Sequence, residues 1–326
     1  MNDFTQALTT VFASVIALFQ SFIAPGPVVA PTAEAYSHAT VLFGGDMMFD
    51  RTIRTVGSAK GEDFLFSCLD SLLLQEEVVV ANLEGPITEK ASVSVGTVPG
   101  VLDNMTFTFP TSTGALLYRH NIRLVNVGNN HSRDFGMNGA SSTLVALAGA
   151  QVEYFGDVIE SAVVEKTAGE VPLSFVTYNE FAGDATTTIE QIAEARAKGR
   201  FPIVYTHWGI EYATTTPEYI RSLAHRFVDA GAEIVIGSHP HVVGEREFYL
   251  PSGSLEQAGN EKYIYYSLGN FIFDQYWDDA VSHGLLVRVA FDREGVVYVE
   301  ELPIRLGTDG RTCIKEVATS SPQIAG

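Results

Sequence analysis

Ile236-Gly237-Ser238-His239-Pro240-His241-Val242-Val243 directly follows Ala232-Glu233-Ile234-Val235, an apolar, β-branched run of strand length. Two imidazoles are therefore expected just past the end of a buried strand. Residues i and i+2 on extended backbone point the same way, and Pro240 restricts its predecessor towards extended geometry, so both rings are expected to reach one site. Two unrelated loop histidines would look the same in sequence. What separates the two readings is whether other strand ends supply matching ligands.

Working outward, apolar runs of strand character fall at 40–43, 78–81, 124–127, 173–178, 203–205 and 234–236. Helical spacing falls between them, at 64–74, 112–118, 138–148, 188–198 (entered through a Thr cap) and 218–229. Runs at 263–268, 285–291 and 296–304 have no helix between them and are expected to form an antiparallel section. A mostly parallel α/β half with strands added implies stacked sheets with helices outside. One folded domain over 39–305 is expected, with an irregular tail over 306–326.

Such folds place their chemistry at strand ends. Five successive ends here carry metal-competent residues: Gly45-Asp46-Met47-Met48-Phe49-Asp50-Arg51, Asn82-Leu83-Glu84, Asn129-Asn130-His131-Ser132-Arg133-Asp134, Thr206-His207-Trp208-Gly209-Ile210-Glu211, and His239-Pro240-His241. A lone Asp there is usually a helix cap and a lone His usually structural. Five in a row are hard to explain as capping. Imidazoles with carboxylates, an amide oxygen and no thiolate suit Mn²⁺, Fe²⁺ or Zn²⁺. A shared carboxylate can bridge two ions about 3.5–4 Å apart, and water held by such ions is acidified towards a pKa of about 7.

Composition narrows the partners. Lys+Arg 20 against Asp+Glu 39 gives a net charge of −19, which repels phosphate backbones and argues against nucleic acid. Apolar residues at 46% and charged residues at 18% fit a globular protein. Cys68 and Cys313 stand far apart and read as neither a disulfide framework nor a thiolate metal motif.

The blocks GDMMFDR, NLEGPIT, NNHSRDFG, THWGIEY, GSHPHV and YSLGNFIFDQ, in this order over residues 39–291, resemble the CapA family of poly-γ-glutamate capsule biosynthesis proteins, which are similar to calcineurin-like metallophosphoesterases. The resemblance implies a four-layer α/β/β/α sandwich of the metallophosphatase type, two divalent metal ions, and an N-terminal membrane anchor. Carried over by block, Asp46 resembles a first-metal carboxylate and Glu84 stands where the bridging carboxylate is expected. Asn130, His207 and His239 resemble second-metal ligands, His241 a first-metal imidazole, and His131 the acid that protonates a leaving group. Two departures stand out. Met48 occupies the position where phosphoesterases have the His of Asp-x-His, and Asn82-Leu83-Glu84 replaces a Gly-Asp pair. A weaker or differently selective first site follows.

The remaining residues keep two readings each. Asp134 either orients His131 or caps a helix before Gly136. Glu211 is either a ligand or general base, or a surface carboxylate. Arg51 and Arg133 either grip a substrate carboxylate or phosphate in bidentate fashion or pair with local acids. Asn270 hydrogen-bonds to ligand or to loop backbone.

Residues 4–33 carry no charge, and 7–24 are mostly apolar, 18 residues against the roughly 20 that a spanning helix needs. Ala33-Glu34-Ala35 has the small-x-small form of a cleavage site, so an export signal competes with an anchor and with a plain buried helix; Pro25, Pro27 and Pro31 read as a linker. Residues 1–38 are taken as anchor or export signal, with the domain outside the cytoplasm. The leading function is metal-dependent hydrolysis or transfer on an envelope polymer such as poly-γ-glutamate, on its precursor, or on a small anionic substrate, beside membrane-embedded capsule-synthesis partners. The alternative is a non-catalytic holder of polyglutamate that uses the same cleft. An intracellular phosphoesterase, with residues 5–24 packed on the domain, ranks third.

Overall fold

The computed structural model describes residues 38–97, 104–157, 159, 163–254 and 261–315. The anchor or export signal expected at the N-terminus falls on residues 1–37, which lie outside these, as do residues 316–326. No helix among the described residues is long and apolar enough to cross a membrane.

The chain first lays down four parallel strands, β1 (Ala39–Met47), β2 (Val78–Leu83), β3 (Leu124–Asn126) and β4 (Glu153–Phe155). A second sheet follows from β5 (Val164–Ala168), β6 (Val171–Asn179), β7 (Phe201–His207), β8 (Ile234–Ser238), β9 (Arg246–Tyr249) and β10 (Lys262–Tyr265), in the order β5-β6-β7-β8-β10-β9. The chain then returns to the first sheet with β11 (Asn270–Ile272), β12 (His283–Phe291), β13 (Val296–Leu306) and β14 (Thr312–Ile314). That sheet runs β14-β13-β12-β1-β2-β3-β4, with β11 pairing β1.

Alternation within each strand explains the layering, because successive side chains must face opposite sides. Val41, Phe43, Val78, Val80 and Leu124 meet Leu173, Phe175, Ile203, Tyr205, Ile234 and Ile236 between the sheets. The intervening Leu42, Val79, Ala81 and Val125 pack outward under α1 (Arg51–Lys60), α2 (Asp70–Leu73), α3 (Thr113–Arg119) and α4 (Gly136–Gly149). On the far side, Val176, Val204 and Val235 lie beneath α5 (Ala185–Ala197) and α6 (Glu218–Asp229). This is the expected four-layer α/β/β/α sandwich. Strands covered on both faces read as continuous apolar runs, which is why 78–81 and 234–236 were legible.

Several local expectations are corrected. The run 64–74 is not one helix but a 3-10 turn (Glu62–Phe66) followed by the four-residue α2. Helix α5 is capped by Asp184, which accepts from the Thr186 and Thr187 amides, not by a threonine. Strand β10 lies in the second sheet, parallel to β8 and antiparallel to β9, while β12, β13 and β14 form the antiparallel addition to the first. Within the stretch expected to be an irregular tail, Thr312–Ile314 forms β14, which pairs with β13. Cys313 on that strand forms a disulfide with Cys68, 245 residues away. Sequence distance concealed a pair that the sheet edge and the 3-10 turn bring together.

Candidate metal centre

Asp46, Glu84, Asn130, His131, His207, His239 and His241 converge where β1, β2, β3, β7 and β8 terminate. The approach is close because two glycines allow it: a Cβ on Gly45 would stand 1.8 Å from the Gly269 carbonyl oxygen, and one on Gly237 would stand 2.1 Å from that of Tyr266. Asp46 then accepts from the His239 amide at 3.1 Å, joining the first strand of one sheet to the His-Pro-His loop of the other.

That loop is not extended as its proline implied. His239 and His241 have φ of 97° and 58°, in the left-handed region. The two rings, 6.0 Å apart, consequently turn to different partners. Arg51 (φ 49°) and Tyr212 (φ 63°) share this conformation, so four of the strained non-glycine residues surround one site.

Two buried groups result, each with ligand atoms within 4.8 Å of one another: Asp46, Glu84 and His241, and Glu84, His207 and His239. In the first, His241 Nδ1 stands 3.1 Å from Asn270 Oδ1 and 3.2 Å from Asp46 Oδ2. The Asn270 amide nitrogen donates to the Val281 carbonyl and to Gln275, which fixes its oxygen towards His241. His241 Nδ1 therefore carries the proton, and its Nε2 presents a lone pair 3.6 Å from Glu84 Oε1.

In the second group, the Ser238 hydroxyl donates to the Thr206 carbonyl and accepts from His207 Nδ1 at 3.0 Å. That leaves His207 Nε2 as a lone pair, 2.8 Å from Asn130 Oδ1 and 3.1 Å from His239 Nδ1. The His207 Nε2 lone pair and Asn130 Oδ1 thus converge, with His239 Nδ1 and Glu84 beside them. Burial holds the His207 imidazole well below its ordinary value, and burial with the neighbouring His241 lowers His239 to about 4, so both are neutral near pH 7.

Glu84 is the shared member. It is fully buried, and both carboxylate oxygens lack a hydrogen-bond partner among the described residues. Burial, then the charges of Asp46 and Glu211, push its pKa well up. Asp46 goes the other way: burial raises it, but the hydrogen bond and charge of His241, with His207 and Asn82, outweigh that and hold it low. A buried carboxylate without partners costs several kcal/mol unless a proton or cation compensates it. The donor set fits a pair of divalent ions.

The other sequence candidates divide. Asp134 is not a helix cap; it accepts from the Phe107 amide at 2.6 Å and from His131 Nδ1 at 2.9 Å, leaving His131 Nε2 4.0 Å from Glu84 Oε1. Glu211 lines a cavity beside His241 and His131. Arg51 also borders that cavity, but its guanidinium is paired with buried Asp274 at 2.6 Å. Arg133 is exposed and away from the cavity lining. Asn270 is fully buried and spent on His241 and loop carbonyls, so it orients a ligand residue and does not reach a substrate. Met48 is buried in the outer core with its sulfur accepting from the Asp50 amide, so it offers neither group a ligand.

Sequence reasoning missed Asn82. Its oxygen accepts from Asn126 (2.9 Å) and Asn129 (3.1 Å), which forces its amide nitrogen towards Asp46 Oδ1 at 2.8 Å. Its place two residues before Glu84, on the same strand face, was the available signal. Phe181, 48% exposed, was also missed; its ring covers His239 edge-on at 4.6 Å.

Comparison with known proteins supplies the context. Residues 40–275 match the family described as bacterial capsule synthesis protein PGA_cap. The PGA biosynthesis protein CapA of Bacillus subtilis (strain 168) is 27% identical, across 89% of this chain and 78% of its own length. The capsule biosynthesis protein CapA of Bacillus anthracis is 24% identical, across 90% and 74%. The solved structure of Haemophilus influenzae NAD nucleotidase (NadN) aligns with a TM-score of 0.48 at 10% identity, over 86% of this chain and 54% of that one, a likeness too distant to carry function.

Proposed function

The chain belongs to the bacterial capsule synthesis protein PGA_cap family, and from that membership we propose an envelope protein of poly-γ-glutamate capsule biosynthesis that holds two divalent ions and carries out metal-dependent hydrolysis or transfer on an envelope polymer or its precursor. One observation carries the metal reading: Glu84, buried between the two histidine groups with both oxygens unpartnered among the described residues. Asp46, Glu84 and His241 would hold one ion; Glu84, Asn130, His207 and His239 would hold the other. Mn²⁺, Fe²⁺ and Zn²⁺ all suit these donors. Such ions, when bound, supply Lewis acidity and an acidified water.

The protein's own groups do the rest. Asp134 fixes His131 with the proton on Nδ1 and Nε2 towards Glu84, where protonated His131 can pass a proton to a departing group. Asn82 and Asn270 hold Asp46 and His241 in place.

The Cys68–Cys313 disulfide supports an extracytoplasmic site, because such bonds persist in oxidising compartments. A non-catalytic polyglutamate holder is favoured by one observation, the three-residue first group, to which Met48 adds nothing.

Elemental analysis of protein purified without chelator and resupplied with Mn²⁺ tests the metals: two ions per chain are expected, and none would overturn the reading. Turnover is tested with phosphomonoesters, phosphodiesters and γ-glutamyl polymers, using wild type and His131→Ala. Polymer binding that survives in the variant, with turnover in neither, selects the holder.

A further inference from the structure

We propose that the cavity beside His241 seats an uncharged sugar ring, carried next to the group held at the two histidine–carboxylate clusters. The proposal rests on the metal reading only for where that neighbouring group sits. The cavity is about 320 Å³, at the small end of ligand sites and suited to about one ring.

Its walls set the chemistry. Trp277 and Tyr212 are 50% and 41% exposed and meet at 76° with ring centroids 5.9 Å apart. Large aromatic faces left open inside a concavity are contact surface awaiting a partner. Two faces at a right angle form a corner. A flat base wants parallel faces on either side, whereas a puckered ring with C–H groups on two sides fits a corner. The Tyr212 amide donates to the Pro240 carbonyl at 2.8 Å, and its backbone has φ of 63°, so strain is spent on holding this ring beside His241.

Charge argues against a run of carboxylates. Arg51 is already paired with Asp274 at 2.6 Å, and Glu211 adds a carboxylate to the lining. Hydroxyl groups, which donate and accept, match what remains. Arg51 Nε is buried with no hydrogen-bond partner among the described residues, and the Glu211 carboxylate can accept.

Calorimetry on the metal-loaded full chain tests this, with inorganic phosphate, glucose 1-phosphate, adenosine monophosphate and a γ-glutamyl oligomer as probes. Glucose 1-phosphate is expected to bind about tenfold more tightly than inorganic phosphate, with the ratio falling towards one in Trp277→Ala and in Tyr212→Ala. Equal affinities, or a larger advantage for adenosine monophosphate or the oligomer that Trp277→Ala abolishes, would overturn it. Uncharged methyl glucoside provides a readout independent of metal. Of the two tryptophans in the chain, Trp208 is buried, so a change in emission that disappears in Trp277→Ala reports the cavity. No change with or without metal overturns the sugar assignment. A change with methyl glucoside but no phosphate binding upholds it and counts against the metals instead.

Discussion

His207 Nε2 and His239 Nδ1 face one another across 3.1 Å, inside a fully buried pocket that Asn130 Oδ1 also enters. With the His207 proton on Nδ1, one N–H···N bond between the two rings would still leave Asn130 Oδ1 2.8 Å from the His207 Nε2 lone pair, and a divalent ion would take up all three donors at once. His239→Ala is expected to lose one ion of two and keep the one served by Asp46 and His241. Asp46→Ala is expected to lose the other, and because the Asp46 carboxylate also accepts from the His239 amide, it should loosen the second ion as well. Metal stoichiometry on the two variants checks this; equal, full occupancy in both would refute it.

The metal-free protein carries a pH signature of opposing signs. The raised pKa of Glu84 means that the folded chain keeps a proton that the unfolded chain releases above about pH 4.5. Stability from that group is complete below about pH 4.5 and is lost as pH rises towards the raised value. His239, lowered to about 4, acts oppositely: the unfolded imidazole takes up a proton from about pH 6.5 downward, so its contribution is lost as pH falls through 6.5 towards 4. Glu84→Gln removes the alkaline loss. In chelator at about pH 8 its melting temperature should exceed that of wild type, while added Mn²⁺ should stabilise wild type alone. A variant less stable than wild type under chelation would show that Glu84 is compensated without metal.

The layers of the fold were legible because both sheets are covered on both faces, so 78–81 and 234–236 are uninterrupted apolar runs within their strands. Short or half-exposed strands were not: Glu153–Phe155 and Arg246–Tyr249 carry charged residues that read as loop. The candidate ligands were legible because chemistry concentrates at strand ends. What they needed to stay in place was not, since the Asn82–Asn126–Asn129 amides meet only through strand pairing, and an asparagine in a strand carries no local mark of a partner. The left-handed backbone at His239 and His241 was misjudged for a related reason. Pro240 restricts local geometry, but hydrogen bonds from distant residues, such as Asp46 to the His239 amide, decide it.

Arg51 and Asp274 form a buried pair, 2% and 0% exposed at the side chain. Removing one member leaves the other charge buried and uncompensated, at about 3–5 kcal/mol. Arg51→Ala is thus expected to lower stability markedly, and Asp274→Asn less, because Arg51 also lies over the Phe107 and Phe273 rings. Chemical denaturation of both variants measures the difference, and near-wild-type stability for Arg51→Ala would show that the pair is not worth its desolvation.

Reduction of Cys68–Cys313 should unfasten β14 from the segment that follows the 3-10 turn. The bond closes a loop of 245 residues; chain entropy alone gives about 5 kcal/mol for so long a loop, and disulfides typically contribute about 2–4 kcal/mol. Cys68→Ser is expected to lose that stability while retaining both ions, with faster amide exchange in 312–314. Loss of metal in this variant would instead join the sheet edge to the site.

Asp134 touches His131 but not the two metal groups, which makes it the sharpest probe of turnover against holding. Its carboxylate accepts from both the Phe107 amide and His131 Nδ1. Both contacts fall on Oδ2, so Asp134→Asn, with an amide oxygen in that place, can keep both, while Asp134→Ala removes the acceptor that sets the His131 tautomer. If His131 delivers a proton to the leaving group, His131→Gln should cost about 10²–10⁴ in kcat. Asp134→Ala should cost about 10–100-fold and Asp134→Asn much less, with KM and both ions little changed. Rescue separates orientation from mere packing: a rate lost in Asp134→Ala and recovered in Asp134→Asn marks the acceptor at Oδ2 as what His131 needs. Equal losses of rate and of stability in the two Asp134 variants would make Asp134 structural. An unchanged rate in His131→Gln, with metals bound, would remove His131 from the chemistry and favour the holder.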